Sequence, residues 1–312
     1  MPPTLAALIA DLRAQLDTGA ERVELVVSDP DLGRGLFAGE RLGAHDEPHV
    51  HRPFRVWVDL AERLELRLLT PERIYEDRLR LRFEPLAAAA DRRQWTSDAG
   101  EDPREKYGAR SVYARIAKAE DPSFVLDLAD AIERAKLPPN PRILDLGCND
   151  GEVLALIAEL LGPDAAAPEF VGVDHSPSAI ATARARLPGQ RWIEADLNAL
   201  DLGGLGRFDL VLALNTLHSP GVDERPLLRT IVHDSLRPRG ALVLGLPNCT
   251  YRDGEVLYGA RTLNITRQPE LSLLVKRVAH YRRYLHQHGK RVFVTGKHYL
   301  LVTAIPESTP EQ

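Results

Sequence analysis

The feature of this sequence that most restricts its fold is a strand, a glycine turn and a helix encoded between residues 142 and 161. A short apolar run at 143–146 is followed by Gly147 and Gly151, and then by an apolar-periodic segment from Val153 to Leu161. This order predicts a buried parallel strand and a helix whose N-terminal N–H groups face a ligand. The sequence therefore predicts a ligand-binding turn within an α/β fold.

The side chains around this turn indicate the charge of the ligand. A dinucleotide-binding turn has the pattern Gly-x-Gly-x-x-Gly, in which the middle glycine lets the backbone approach a pyrophosphate. Here Asn149 stands at the middle position, and Asp145 and Asp150 flank the turn. Two carboxylates repel a pyrophosphate and attract an ammonium or a sulfonium group. We therefore expect a cationic cofactor, and S-adenosylmethionine fits that expectation.

Two further acids follow the ends of predicted strands. One apolar run ends in Asp174, 29 positions after Asp145, where a carboxylate can accept hydrogen bonds from both ribose hydroxyls. A third run ends just before Asp196, which is placed to accept a hydrogen bond from an adenine amino group. Near-continuous apolar runs at 208–215 and 240–246 predict a fourth and a fifth strand, buried on both faces.

In this order of acids and strands, the sequence resembles the class I, seven-strand S-adenosylmethionine-dependent methyltransferases over about residues 112–304. The resemblance implies an α/β, Rossmann-like seven-strand sheet that ends in an antiparallel hairpin. Alternating residues on both sides of Gly296-Lys297 predict such a hairpin. The resemblance also implies S-adenosylmethionine as the cofactor, whereas no metal is expected because the histidine spacing at 45–51 matches no zinc pattern. The implied cofactor-binding residues are Asp145, Gly147, Cys148, Asn149, Gly151, Asp174, His175, Asp196, Leu197 and Asn215.

Other residues are expected to act on the substrate. His218, in the loop after the fourth strand, is the candidate general base, and a packing histidine is the alternative. The expected substrate contacts are Tyr107, Tyr113, Asn248, Tyr251, Arg283 and Lys290. The tyrosines can cover the cofactor, stack on a planar substrate or simply pack. Cys148 is expected to fill the tight turn rather than to act as a nucleophile.

Positive charge is concentrated near the C-terminus. The net charge of the 312 residues is −5, yet residues 271–306 contain seven Lys or Arg residues and no acid. Such a segment with interleaved tyrosines can follow a phosphate backbone, so RNA or another polyanion is an expected partner of residues 276–297. The alternative is the ordinary basic face of a surface helix at 270–288, with Tyr281 in the core.

The residue pattern of the first third of the chain differs from that of the rest. We expect a small α+β accessory domain at 1–90, a linker at 91–110, a methyltransferase domain at 111–306 and a disordered tail at 307–312. In the first domain we predict a helix at 5–16 and strands at 22–27, 54–60, 64–69 and 79–83. In the second we predict helices at 111–119 and 124–136 and an irregular stretch at 248–268.

The composition of the chain indicates the cellular environment in which the protein is expected to work. With Cys148 and Cys249 as its two cysteines, the chain is expected to form no disulfide, and a reducing cytoplasm fits. We expect no membrane span and no secretion signal, because no run reaches ~20 apolar residues and the N-terminus lacks a basic region. His45, His49 and His51 share one segment, but their spacing matches no zinc pattern, so a solvated loop is expected.

Three functions are consistent with these residues. The main expectation is a methyltransferase that acts on RNA or another polyanion. The first alternative is a methyltransferase of small molecules, and the second is a non-catalytic S-adenosylmethionine-binding subunit that regulates a partner. The sequence leaves the acceptor atom and the oligomeric state open.

Overall fold

The computed structural model describes residues 3–43, 49–87, 102–162, 168–259 and 271–307. These residues belong to two compact units. The first unit comprises Met1–Ala89 together with Tyr251–Leu257, and the second comprises Ala90–Thr250 and Tyr258–Gln312. Within the described part of the chain, no helix has both the length and the apolar character that crossing a bilayer requires.

The first unit is a small α+β structure. Its elements are α1 (Leu5–Asp17), β1 (Val23–Ser28), β2 (Arg41–Leu42), β3 (His49–Val50), α2 (Arg55–Arg63), β4 (Leu66–Leu68), β5 (Glu72–Tyr75) and β6 (Arg78–Pro85). Strand β6 lies between β1 and β4 in an antiparallel sheet and also pairs with β5. Alternate residues of β1 are buried, so one face of this sheet packs on α1 and α2. The predictions of a helix at 5–16 and of strands at 22–27, 64–69 and 79–83 are confirmed.

The predicted strand at 54–60 is wrong, because these residues belong to helix α2. Trp57, Leu60 and Ala61 are the buried residues of α2, and their spacing of three and four positions is that of one helix face. The apparent alternation is misleading because Phe54 is 40% exposed and Trp57 is buried. Arg55 and Asp59 form an ion pair at 2.7 Å one helical turn apart.

The second unit is built on a seven-stranded sheet. In chain order its first elements are α3 (Pro122–Ala135), β7 (Arg142–Leu146), α4 (Glu152–Leu161), β8 (Glu169–Asp174), α5 (Pro177–Arg186), β9 (Arg191–Glu194), β10 (Phe208–Leu214), α6 (Glu224–Thr230) and β11 (Leu236–Pro247). The last elements of the chain are β12 (Cys249–Arg252), β13 (Glu255–Tyr258), α7 (Leu271–Gln287), β14 (Lys290–Thr295) and β15 (Tyr299–Pro306).

The order of strands in this sheet confirms the predicted fold class. It runs β14-β15-β11-β10-β7-β8-β9, in which the five strands from β11 to β9 are parallel. The predicted hairpin of β14 and β15 is antiparallel and adds to the sheet beside β11. The chain moves outward from β7 through β8 to β9 and then crosses to β10, on the other side of β7. In open α/β sheets, ligands bind beyond the carboxyl ends of the strands at such a crossing.

Helices cover both faces of the sheet. On one face, Leu144 and Leu146 pack in a cluster that includes residues of α6 and α7, with Tyr281 buried as predicted at 1% exposure. On the other face, Ile143 packs in a cluster that includes residues of α3, α4 and α5. Every strand in the middle of the sheet is therefore buried on both sides, which explains its near-continuous apolar sequence.

Two of four other predicted segments, at 111–119 and 248–268, differ from the structure. The predicted helix at 111–119 consists instead of two short 3-10 helices, Val112–Arg115 and Lys118–Glu120. The predicted helices at 124–136 and 270–288 are present as α3 and α7, although residue 270 lies outside the described residues. The irregular stretch predicted at 248–268 is wrong for residues 249–258, which form the hairpin of β12 and β13, and residues 260–268 lie outside the described part.

The hairpin Tyr251–Leu257 belongs to the first unit, and charged contacts explain why. Arg67 lies 3.2 Å from Asp253 and 3.3 Å from Glu255, and Arg252 forms an ion pair with Glu65. The first unit is therefore completed by a segment that follows the last parallel strand of the second unit. Hydrophobic periodicity gave no sign of this assignment, because the contacts that fix it are ionic and join residues far apart in sequence.

Candidate functional site

The turn after β7 brings its backbone unusually close to the neighbouring strands. Gly147, Asn149 and Gly151 all have positive φ angles, of 76°, 49° and 76°. A methyl group added to Gly147 would overlap the Thr216 hydroxyl, so this position accepts no side chain without strain. Asn149 tolerates the left-handed conformation better than most residues, which explains how it replaces a glycine. The N-terminus of α4 thus begins directly at the turn, with Gly151 as its cap.

Cys148 fills this turn. Its side chain is 3% exposed, and burial raises the pKa of its thiol well above the ordinary value. A buried thiol without a base is unreactive, because the thiolate is the nucleophilic form. The packing role expected for this residue stays a prediction that these surroundings favour.

Asp145, at the carboxyl end of β7, is the most perturbed carboxyl group of the site. It is 1% exposed, and its Oδ2 atom has no hydrogen-bond partner among the described residues. Burial raises its pKa from 3.8 to about 7, opposed in part by the charge of Lys118 and reinforced by Asp174. A carboxylate in this setting gains strongly from a nearby cation.

Asp174 ends β8 and organises the adjacent backbone. Its Oδ2 atom accepts a hydrogen bond from the Asn149 amide at 2.9 Å, and its Oδ1 atom accepts one from the Ser176 amide at 3.0 Å. Each oxygen can accept a further hydrogen bond, for example from a pair of hydroxyls. His175 is next to it, with Nδ1 3.7 Å from Asp174 Oδ1.

Asp196 and Leu197 follow β9 as expected. Asp196 is exposed, and its Oδ1 atom accepts a hydrogen bond from the Asn198 amide at 2.9 Å. The Asn198 side chain in turn donates to the Gly221 carbonyl at 2.6 Å and so ties this loop to the one after β10. The three acids therefore follow the carboxyl ends of three adjacent parallel strands, which share one edge of the sheet.

The loop after β10 contains the predicted base. Asn215 has a φ of 60°, and Thr216 donates a hydrogen bond to the Leu146 carbonyl at 2.8 Å, which joins this loop to β7. The Nδ1 atom of His218 is buried and has no hydrogen-bond partner among the described residues. Burial, followed by the charge of Arg277, lowers the pKa of His218 to about 4. The imidazole is therefore neutral at pH 7 and only a weak base.

Several buried side-chain oxygen atoms at the carboxyl ends of the parallel strands have no hydrogen-bond donor within the described part of the chain, and they indicate which groups a ligand there would supply. Among the described residues, such oxygen atoms at the carboxyl edge are Asp145 Oδ2, Asn149 Oδ1, Asn215 Oδ1 and Asn248 Oδ1. The side-chain nitrogen of Asn248 donates a hydrogen bond to the Lys297 carbonyl at 2.8 Å, which fixes the orientation of the side-chain oxygen. A buried acceptor left without a donor costs about 1–3 kcal/mol, so these atoms fit a ligand that is rich in donors and positively charged.

The expected substrate contacts fall in different places. The rings of Tyr107 and Tyr113 lie 5.1 Å apart in the segment before α3, and Asn248 directly follows β11. Tyr251 lies in the hairpin that belongs to the first unit. Arg283 is exposed on α7. The structure therefore groups Tyr107 with Tyr113 but does not bring all the expected contacts into one cluster.

Lys290 was wrongly predicted as part of an anion-binding surface. It is 6% exposed, and its ammonium donates a hydrogen bond to the Gly240 carbonyl at 2.8 Å. Gly240 lies between Leu236 and Ala241, the first two residues of β11 that pair with β10, and therefore towards the amino end of the parallel strands. Lys290 is thus a structural residue on the side of the sheet away from the three acids.

Two residues that sequence reasoning missed also lie near the carboxyl edge. His298 Nδ1 is 3.0 Å from Asp121 Oδ2, and the other carboxylate oxygen of Asp121 caps α3. The His298 carbonyl accepts a hydrogen bond from the backbone N–H of Asn248 at 2.8 Å, which places this histidine beside the end of β11. The two residues are 177 positions apart, and no local pattern pairs them.

The histidine segment of the first unit shows no metal-like cluster in its described part. The His49 ring nitrogen Nε2 lies 3.1 Å from the Gly33 carbonyl, and His45 lies outside the described residues. Across the described ranges, no group of three or more His, Cys, Asp or Glu side chains is arranged to hold a metal ion.

Comparison with known proteins agrees with this site. Residues 144–242 match the model of a family described as a methyltransferase domain. The chain is 36% identical over 116 residues to a carboxy-S-adenosyl-L-methionine synthase of Methylococcus capsulatus, covering 34% of this chain and 45% of that protein. It is 34% identical over 118 residues to a trans-aconitate 2-methyltransferase of Azoarcus sp., covering 38% of this chain and 44% of that protein. The chain thus spans less than half the length of these relatives.

Solved structures resemble part of the chain at lower identity. One is S-adenosylmethionine-bound CalS10, an amino pentose methyltransferase from Micromonospora echinaspora, with 22% identity and a TM-score of 0.39. The match covers 57% of this chain and 89% of that one. The assignment of the fold depends on the strand order described above.

Proposed function

We propose that the second unit, which is built on a Rossmann-like seven-stranded sheet and matches a methyltransferase family model over residues 144–242, is a class I methyltransferase domain that transfers a methyl group from S-adenosylmethionine to a small organic molecule. The observation that supports this proposal most strongly is the set of buried, unpartnered acceptors at the carboxyl edge of the sheet. A ligand with an ammonium, a sulfonium and ribose hydroxyls supplies what these acceptors need.

In this proposal the acids at the strand ends divide the cofactor between them. Asp145 lies toward the positively charged amino-acid end, Asp174 accepts from the ribose hydroxyls, and Asp196 accepts from the adenine amino group. The backbone of the turn at Gly147–Gly151 can approach the cofactor closely, because Gly147 and Gly151, which hold positive φ angles, have no side chains. The remaining proposed contacts are His175, Leu197 and Asn215.

The contribution of the protein to the reaction is mainly geometric. When bound, S-adenosylmethionine supplies a methyl group on a positively charged sulfur atom. The residues of the site would have to position the acceptor close to that methyl group and exclude water from it. Tyr107 and Tyr113 are proposed to cover this region. His218 is neutral and can accept a hydrogen bond from the acceptor, but its lowered pKa makes it a poor receiver of a full proton.

The names of the relatives favour a small-molecule acceptor over RNA. One relative is named for trans-aconitate, a small organic acid, and another for the synthesis of carboxy-S-adenosyl-L-methionine. The burial of Lys290 also removes one cation from the surface that was expected to follow a phosphate backbone. We therefore propose a small acceptor and treat methylation of RNA and non-catalytic cofactor binding as the rival outcomes.

The proposal is tested by measuring cofactor binding and turnover separately. Calorimetry should show that the full chain binds S-adenosylmethionine, and Asp174→Ala should weaken that binding. Incubation with a panel of small carboxylic acids that includes trans-aconitate, and in parallel with total RNA, should yield S-adenosylhomocysteine with the acids. Binding without turnover in either arm would favour the regulatory rival. Turnover with RNA alone, or no cofactor binding, would refute the proposal.

A further inference from the structure

A cationic groove lies between α6 and α7. It has a volume of about 530 Å³ and is lined by Glu224, Arg225, Lys276, Arg277, His280 and Arg283. Four of these six side chains carry a full positive charge at pH 7, and only one carries a negative charge. The groove is therefore a compact concentration of positive charge on a chain whose net charge is −5.

The one acid of the groove is already engaged. Glu224 Oε2 lies 3.6 Å from the guanidinium of Arg277. Arg225, Lys276 and Arg283 form no ion pair within the described ranges. Three cations held near one another without counter-charges repel each other, and a bound anion relieves this repulsion. Arginine also offers two parallel N–H donors, a geometry that matches a carboxylate.

The topology places this groove beside the proposed catalytic edge. Helix α6 begins ten residues after the end of β10, directly beyond the loop that contains His218. Helix α7 ends just before Lys290, which pairs with Pro306 at the far end of the hairpin, so its first turns lie toward the carboxyl edge. The charge of Arg277 acts on His218, which shows that the groove and the loop are close.

We propose that this groove binds the carboxylate groups of a small polycarboxylate acceptor. The inference rests on the proposed methyltransferase function and specifies the substrate class for that site. A small anion fits better than RNA because the cations form a compact group instead of a stripe. Lys290 and Arg291 do not extend it along the hairpin, since Lys290 is buried and the guanidinium of Arg291 lies 4.9 Å over the ring of Phe293.

Binding measured without turnover tests the inference. Citrate, as a small tricarboxylate, is titrated by calorimetry into the full chain loaded with S-adenosylhomocysteine, at low ionic strength where charges are least screened. Arg225→Gln and Arg283→Gln should each weaken citrate binding roughly 10-fold or more, the loss expected for a charged hydrogen bond. Glu224→Gln should tighten it, because it removes the only negative charge of the groove.

Arg282→Gln is the matched control. Arg282 is the exposed neighbour of Arg283 on α7, but it does not line this groove, so its loss should change citrate affinity less than about 2-fold. No saturable citrate binding, or an equal loss with Arg282→Gln, would overturn the inference. Tighter binding of inorganic pyrophosphate than of citrate, or binding of an RNA oligonucleotide through the same residues, would overturn the assignment of carboxylates.

The result can be separated from the test of the proposed function. A protein that binds S-adenosylmethionine but not citrate overturns only the role of the groove. A protein that binds citrate but not S-adenosylmethionine overturns the proposed function, and with it the role of the bound carboxylate as a methyl acceptor, but leaves the groove as an anion-binding site. Circular dichroism and thermal unfolding of each variant confirm that the exposed substitutions leave the fold intact.

Discussion

In the proposed cofactor site, the buried carboxyl group of Asp145 should make cofactor binding depend on pH. Burial raises its pKa to about 7, so at pH 6 only about one tenth of the free protein carries the negative charge. A cationic ligand interacts with the carboxylate form and has to displace the proton first. Affinity for S-adenosylmethionine should therefore fall by up to about tenfold for each pH unit below 7.

Calorimetry between about pH 5.5 and 7 measures this effect, because an α-amino group, with a pKa of about 7.7–8.0, stays protonated over that range. Repeating each titration in buffers of different ionisation enthalpy should reveal release of nearly one proton at pH 6. Asp145→Asn should bind the cofactor more weakly at pH 7 and show a much flatter profile. An affinity of the unchanged protein that is constant across this range would refute the role of Asp145.

The raised pKa of Asp145 also predicts that folding stability changes with pH in the opposite direction to cofactor affinity. The folded-state pKa of Asp145 lies above the ordinary 3.8, so the folded protein holds a proton that the unfolded chain releases, and stability falls as pH rises from about 4 to 7. The full shift corresponds to about 4 kcal/mol as an upper value. Asp145→Asn should therefore raise the free energy of unfolding of the cofactor-free protein at pH 8. A loss of stability on this substitution would refute the destabilising effect of the buried Asp145 carboxylate.

Three further predictions concern other parts of the molecule. Asp174→Ala should weaken S-adenosylmethionine binding by about 1–3 kcal/mol in calorimetry, because it removes charged hydrogen bonds, and an unchanged affinity would exclude this residue from the ribose site. Gly147→Ala should destabilise the fold by roughly 2 kcal/mol in urea unfolding, since its φ is positive and its methyl group meets Thr216, and unaltered stability would contradict that overlap. Arg252→Ala should speed chymotryptic cleavage of the hairpin Tyr251–Leu257, because Arg252 joins it to Glu65, and an equal rate would assign the anchoring elsewhere.

The fold of the second unit was predictable because its sequence signals are local. The near-continuous apolar runs before Asp145 and Asp174 belong to strands buried on both faces, and such strands have few other interpretations. Glycines at 147 and 151 marked the turn, since both need positive φ angles. The acids at successive strand ends then fell along one edge of the sheet, because parallel strands share the edge where they end.

The sequence-based predictions were wrong or incomplete where tertiary packing overrides the local hydrophobic or charge pattern. The alternation at 54–60 suggested a strand, but Trp57 and Leu60 are three positions apart and share the buried face of a helix. Lys290 belonged to a basic segment in sequence, yet the antiparallel hairpin carries it to the amino end of the sheet and buries it. The pair of His298 and Asp121 depends on strand and helix positions that are set by the whole fold.

The distribution of charge gives the two proposed ligands different places in the same domain. The edge beyond β7 and β8 offers acids and unpartnered acceptors, whereas the groove between α6 and α7 offers cations without counter-charges. A positively charged donor is attracted to the first and repelled by the second, and a polycarboxylate acceptor experiences the opposite forces. The loop of His218 connects β10 to α6 and carries an imidazole whose pKa is lowered by burial and by the charge of Arg277, so it stays neutral. If the two ligands bind as proposed, each one neutralises the charge that faces the other, so bound citrate should strengthen S-adenosylmethionine binding. By thermodynamic reciprocity, bound S-adenosylmethionine should strengthen citrate binding by the same factor.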